Sequence, residues 1–237
     1  GHAARQLAHA ESATFPHPYS QKAANLSEAI LHYVNYRYGS GAFNMAELMD
    51  AQKNTKIFYW DQLTSETFNT KINCLVAYIT STIGESKMKK FCDVLANNTN
   101  IQYLILTAQD QSIQISPTAF QILFSTIKEN NHIKSLQISQ FGPSSDFFND
   151  LFKNLKGNKK IERLAIVKND FANDNLANLL HDNTRIRYLA LEATDQSMVD
   201  LDLASVVQSE AIVSLKVRVN NTIGFDPFLT RLRRRTN

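Results

Sequence analysis

Ile101-Gln102-Tyr103-Leu104-Ile105-Leu106 is the stretch on which the fold turns. Its skeleton is I-x-x-L-x-h, where h is apolar, and the skeleton recurs. It stands at Ile72-x-x-Leu75-x-Ala77, Ile133-x-x-Leu136-x-Ile138 and Ile161-x-x-Leu164-x-Ile166. It stands again at Ile186-x-x-Leu189-x-Leu191 and Ile212-x-x-Leu215-x-Val217. Successive starts lie 29, 32, 28, 25 and 26 residues apart. A fixed period of about 20–50 residues marks a chain built from one supersecondary unit copied along its length.

The register extends upstream of each skeleton. Six residues before the Ile stands Leu95, Ile127, Leu155, Leu180 or Val206. Nine before it stands Cys92, Phe124, Phe152, Ala177 or Leu203, and thirteen before it Met88, Phe120, Phe148, Asn173 or Val199. Offsets of three and four put these side chains on one helix face. Three residues before the Ile stands Asn69, Asn98, Asn130, Asn158 or Asn183, with Ser209 in the last unit. Asn tolerates the left-handed conformation that ends many helices, so these positions read as helix stops. Ser116-Pro117 and Ser145-Asp146 read as helix starts. Each unit is therefore helix, turn, short strand.

One such unit cannot bury its own apolar face, but stacked units can. The pattern resembles the leucine-rich repeats of the ribonuclease-inhibitor-like class, whose motif is L-x-x-L-x-L-x-x-N followed by a helix. The match covers roughly residues 54 to 220. The final N position holds Asn169 and Asn220; elsewhere it holds Thr80, Gln109, Phe141 and Thr194. The resemblance implies an α/β solenoid of horseshoe form, with a parallel β-sheet on the concave face and helices on the convex face. The short repeats rich in Asn, Lys and Ile are also similar to effector proteins that intracellular bacterial pathogens inject into host cells.

Outside the repeats, residues 1–20 lack an apolar period and read as a flexible leader. Residues 21–71 read as an N-terminal helical cap and a degenerate first repeat. Ser20 to Tyr38 fits a helix with Leu26, Ile30, Leu31 and Val34 on one side. About Asn44 to Lys53 fits a second helix. Asn54 and Ile57 then copy the cap and strand start of the repeat, and Trp60 is expected to plug that end of the stack. Residues 72–220 carry the repeats. Residues 221–237 read as a C-terminal cap, with Phe228, Leu229 and Leu232 facing the last repeat and a basic tail of Arg231, Arg233, Arg234 and Arg235. The chain opens Gly1-His2 without an initiator Met and reads as a piece of a longer protein.

Composition narrows the function. Of 237 residues, 43% are hydrophobic, enough for a sizeable core, and the net charge of +3 is too small to imply nucleic acid or membrane as partner. Two cysteines, Cys74 and Cys92, make no disulfide scaffold and match no zinc spacing, so a cytoplasmic location is expected. No phosphate-binding Gly-rich loop, G-x-S-x-G or H-E-x-x-H occurs. No enzyme, cofactor, metal or small-molecule substrate is expected. Cys92 falls on the buried helix face and reads as inert, while Cys74 reads as exposed. His132 and His181 fall near turns, where solvated roles are expected.

Strand alternation locates the candidate binding surface. If Leu104 and Leu106 face the core, Tyr103, Ile105 and Thr107 face away. The same offset selects Cys74, Val76 and Tyr78; Ser135, Gln137 and Ser139; Arg163, Ala165 and Val167; Tyr188, Ala190 and Glu192; and Ser214, Lys216 and Arg218. Tyr and Arg are enriched at protein hot spots. The expected site is therefore Tyr78, Tyr103, Ile105, Gln137, Arg163, Tyr188, Glu192, Lys216 and Arg218, with Asp110, Asp170 and Asp195 along one rim. The expected function is that of a monomeric module binding a folded protein partner, as an inhibitor or regulator of it. The alternative is contact with acidic lipid or nucleic acid through the arginine tail.

Overall fold

The computed structural model describes residues 30–35, 55–60, 72–110, 112–139, 145–167, 173–181, 185–192, 200–202, 211–212, 214–218 and 221–223. Two strands come first, β1 (Ile30–Asn35) and β2 (Thr55–Tyr59). Strands and helices then alternate: β3 (Cys74–Ile79), α1 (Glu85–Asn97), β4 (Tyr103–Ala108), α2 (Pro117–Glu129), β5 (Ser135–Ser139), α3 (Ser145–Gly157), β6 (Arg163–Val167), α4 (Asn173–His181) and β7 (Tyr188–Glu192). Three short strands follow, β8 (Asp200–Asp202), β9 (Ser214–Arg218) and β10 (Asn221–Ile223).

The main sheet runs β1-β9-β7-β6-β5-β4-β3-β2. Its strands pair in parallel from β2 through β9, and β1 closes the edge antiparallel to β9. The chain is thus an α/β protein with a parallel sheet alternating with helices. Register puts Leu75, Leu104, Leu136, Leu164, Leu189 and Leu215 in one row across six strands. The first five of these share one core with the buried helix faces. Consecutive helices also pack on one another, α1 on α2, α2 on α3 and α3 on α4. Each fully buried Leu or Ile in this layer is worth about 1.5–3 kcal/mol of transfer free energy.

The helix faces follow the expected spacing and add one position. Met88, Cys92, Leu95, Phe124, Ile127, Phe152, Leu155 and Leu180 are buried as anticipated, whereas Phe120 and Ala177 are half-buried. Ten residues before each skeleton Ile, Phe91, Leu123, Leu151 and Leu176 are buried too. Phe120, Phe124 and Phe147 form an aromatic cluster bridging α2 and α3, with centroids 4.4 to 5.7 Å apart. The Ser116 hydroxyl caps α2 by accepting from Ala119 N at 3.2 Å, with Pro117 in the first turn.

The asparagines at the turns act otherwise than expected. Asn98 has φ −104° and Asn130 has φ −69°, so neither is left-handed. Their amides matter instead. Asn130 Oδ1 accepts from His132 N at 3.0 Å and Ile133 N at 2.7 Å. Asn158 Oδ1 accepts from Lys160 N and Ile161 N, both at 2.8 Å. Asn158 Nδ2 then reaches back to the preceding turn, donating to Ile127 O at 2.7 Å and Asn130 O at 3.1 Å. His132 is drawn into the same network rather than left solvated. Asn130 Oδ1 is committed to backbone N–H groups, so its Nδ2 faces His132 Nε2 at 2.9 Å and Nε2 must accept. Nδ1 therefore carries the proton and donates to Ile101 O at 2.7 Å.

Three local expectations are corrected. Ile30–Asn35 is a strand, not part of a helix. The apolar spacing fits a helix, but the open edge of β9 offers unpaired backbone groups, and pairing satisfies them. In the first unit Lys56, not Trp60, pairs with Leu75, so the strand lies four residues earlier than a start at Ile57 would place it. This leaves Trp60 just past the strand, fully buried against Phe91 with centroids 4.8 Å apart. The last unit has the strand β8 where the apolar spacing suggested helix, because Asp200-Leu201-Asp202 also alternates with period two and pairs with β10. The leader, the second N-terminal helix, the C-terminal capping helix and the arginine tail lie outside the described residues.

Candidate protein-binding face

The sheet face turned away from the helical core carries three rows of side chains. The first row is Cys74, Tyr103, Ser135, Arg163, Tyr188 and Ser214. The second is Val76, Ile105, Gln137, Ala165, Ala190 and Lys216, and the third Tyr78, Thr107, Ser139, Val167, Glu192 and Arg218. Pairing in register brings all nine sequence-selected residues onto this face. A repeating backbone pattern holds the register. The carbonyls of Asn73, Gln102, Lys134 and Glu162 each accept two N–H groups from the next strand's entry, at 2.8 to 3.1 Å.

Exposure along the rows is lower than alternation suggested. Tyr103 is only 3% exposed and Cys74 only 5%; with Val76 they form a small apolar cluster separate from the main core. Ser135, Ser139 and Ala165 are buried as well. Tyr103 and Cys74 are therefore not surface residues. Parallel strands sit about 4.8 Å apart, so a tyrosine flanked by small Cys and Ser side chains lies among its neighbours rather than standing clear of them. Tyr78, Ile105, Gln137, Arg163 and Tyr188 are half-buried. Glu192, Lys216 and Arg218 are placed by backbone register alone.

Polar contacts organise the middle of the face. Arg163 Nη1 donates to Ser135 Oγ at 3.1 Å, and Gln137 Nε2 donates to Ser139 Oγ at 3.2 Å. Burial pushes the Arg163 guanidinium below its ordinary value, and the Tyr103 hydroxyl acts in the opposite sense. Lys134 Nζ lies 5.4 Å from the Tyr103 ring centroid, and the Arg187 guanidinium lies 5.9 Å from that of Tyr188. Both cations occupy the residue just before a strand, and sequence reasoning missed both. Alternation does not govern a residue that precedes the first paired position, so the sequence held no signal for either.

The remaining candidates carry little chemistry. Burial pushes the Cys92 thiol from 9.0 up to about 11, against a hydrogen bond with Thr126, so it is a poor nucleophile. Asp110 is exposed, and hydrogen bonds from the Ser112 hydroxyl and backbone lower its carboxyl value. Asp170 and Asp195 lie outside the described residues. No group of His, Cys, Asp and Glu suited to a metal occurs among the described residues. No helix among them is long and apolar enough to cross a membrane. No protein-family model matches the chain, and a search of curated proteins finds no match.

Proposed function

We propose that the chain is a leucine-rich-repeat solenoid that grips a folded protein partner with its sheet face. One observation carries this reading. Six parallel strands follow one another in register, with one face committed to a leucine row and the other to Tyr, Arg and Gln. A fold needs only one face of that sheet for its core. Strands pack closer together than helices, so such a stack curves into a horseshoe, with the sheet on the concave side and helices on the convex side.

In this reading Tyr78, Ile105, Gln137, Arg163 and Tyr188 make the central contacts, and Glu192, Lys216 and Arg218 extend them toward β9. Tyr103 serves beneath them, beside the Arg163 guanidinium and under Lys134. A half-buried guanidinium already stripped of much of its water loses less on binding, which suits Arg163 to a hot spot. The module acts as a monomer in a cytosol, catalyses nothing, and inhibits or regulates its partner by covering it. The similarity to bacterial effectors would put that partner in a host cell.

The test uses a photo-crosslinking amino acid at Gln137 or Tyr188, with Ser125 on α2 as control. The same partner should crosslink from both sheet positions and not from Ser125. Arg163→Glu combined with Tyr188→Ala should abolish its capture while far-UV circular dichroism stays unchanged. Capture that survives the double substitution would sink the proposal.

A further inference from the structure

The outer surfaces of α3 and α4 leave a cleft of about 270 Å³ lined by Asn149, Phe152, Lys153, Lys156, Asn178 and Leu179. Phe152 and Leu179 are buried and form its floor, so lysines and carboxamides make up its walls. Lys153 and Lys156 are three residues apart on α3 and share a face. Lys128 lies against the end of the same helix, where a Cβ added at Gly157 would come within 2.7 Å of Lys128 Cε. Lys159 and Lys160 follow in the turn. All five lysines are exposed, and residues 153–160 contain no acid. The dipole of α3 favours cations in its last turn but does not explain two more beyond it. Lys128, Lys153, Lys159 and Lys160 form no ion pair with any described residue.

The carboxamides are the second observation. Nearby amides are occupied: Gln121 Nε2 donates to Asp150 Oδ2 and Asn154 Nδ2 donates to Asp150 O. The side chains of Asn149 and Asn178 make no hydrogen bond with a described residue, although both line the cleft. A carboxamide presents one acceptor and two donors, the complement of a peptide main chain. Pockets enclosing drug-sized ligands measure about 300–1,000 Å³, so this cleft suits a short segment laid across it.

We infer that the α3–α4 cleft binds an extended acidic peptide segment of a partner protein. Asn149 and Asn178 hold its main chain, and Lys153 and Lys156 pair with its carboxylates. Lys128, Lys159 and Lys160 draw it in from a distance. The site lies on the helical side and does not depend on the sheet face. A nucleic-acid site would call for aromatic platforms, and Phe152, the one aromatic among the described residues lining the cleft, is buried in the floor.

The test is fluorescence anisotropy with a labelled peptide of alternating Glu and Ser, against its Gln-for-Glu counterpart, at low and high salt. The acidic peptide should bind, the neutral one should not, and added salt should weaken binding. Lys153→Glu with Lys156→Glu should cost at least about tenfold in affinity, and Asn178→Ala about fivefold. Both variants change exposed residues, and unchanged circular dichroism will verify their folding. No binding of the acidic peptide, or equal binding by the lysine variant, overturns the inference. Binding of RNA or anionic vesicles that the acidic peptide cannot displace overturns it as well.

Discussion

Asn158→Ala should destabilise the protein far more than the loss of one surface amide. The side chain is 5% exposed and makes four hydrogen bonds. Two brace its own turn, at Lys160 N and Ile161 N, and two reach the turn before it, at Ile127 O and Asn130 O. A typical intramolecular hydrogen bond contributes about 1 kcal/mol net, and a buried group left unpaired costs about 1–3 kcal/mol. Lys160 is exposed, so its N–H can turn to water; Ile161 is buried, so its N–H cannot. The expected loss is about 3–4 kcal/mol. That is a large share of a total stability of about 5–15 kcal/mol. Asn98 supplies the internal comparison. It is half-buried, and its amide donates to Val94 O of its own helix at 2.7 Å. Asn98→Ala should cost only about 1 kcal/mol. Urea denaturation followed by circular dichroism gives both values, and the Asn158 variant should melt roughly 10 °C lower than the parent. Hydrogen exchange should show lost protection at Ile161. Equal costs for the two substitutions, or a cost below about 1 kcal/mol for Asn158→Ala, would refute the bridging role of this amide.

Other perturbations probe separate parts of the structure. Gly84 is the N-cap of α1 with φ −94°, lacks a capping side chain, and has open space where a Cβ would stand. Gly84→Ser should stabilise by about 0.5–1 kcal/mol, read as a shift in urea midpoint without a change in slope. The Cys92 thiol, pushed up to about 11, keeps its proton when folded at pH values where the unfolded chain loses it. Its contribution is full below pH 9 and lost as pH rises toward about 11, by about 1.4 kcal/mol per pH unit, and Cys92→Ala should lack that slope. Arg163→Met should cost only about 1–2 kcal/mol, because an apolar side chain of similar reach replaces a desolvated guanidinium while the buried Ser135 hydroxyl loses its donor. The same substitution should weaken partner binding in the crosslinking assay, and a large stability loss instead would recast Arg163 as a structural residue.

Much of this architecture was legible because parity and helical spacing are local properties. Leu104 and Leu106 face the core, and Tyr103 and Ile105 face away from it, because successive strand residues must alternate. Phe124 and Ile127 are buried because their spacing puts them on one helix face. Where two local patterns competed, the sequence was ambiguous: Ile30 to Val34 and Asp200 to Asp202 fit a helix and a strand alike.

The sequence by itself determined the alternation of strand and helix from β3 to β7, the registered leucine row and the face on which each of the nine strand residues lies. These follow from geometry within a single element. Only the tertiary structure decided how deep each residue lies and what it touches. Tyr103 shares its face with Tyr188, yet it is buried beside Cys74 while Tyr188 stays partly exposed. Asn158 looked like a helix stop and proved to be a bridge to the turn before it. The lysine-walled cleft between α3 and α4 exists only because the two helices pack side by side. Each of these depends on distances between segments some 28 residues apart in the chain, such as the 28 separating Asn158 from Asn130. Periodicity within one segment carries no information about those distances.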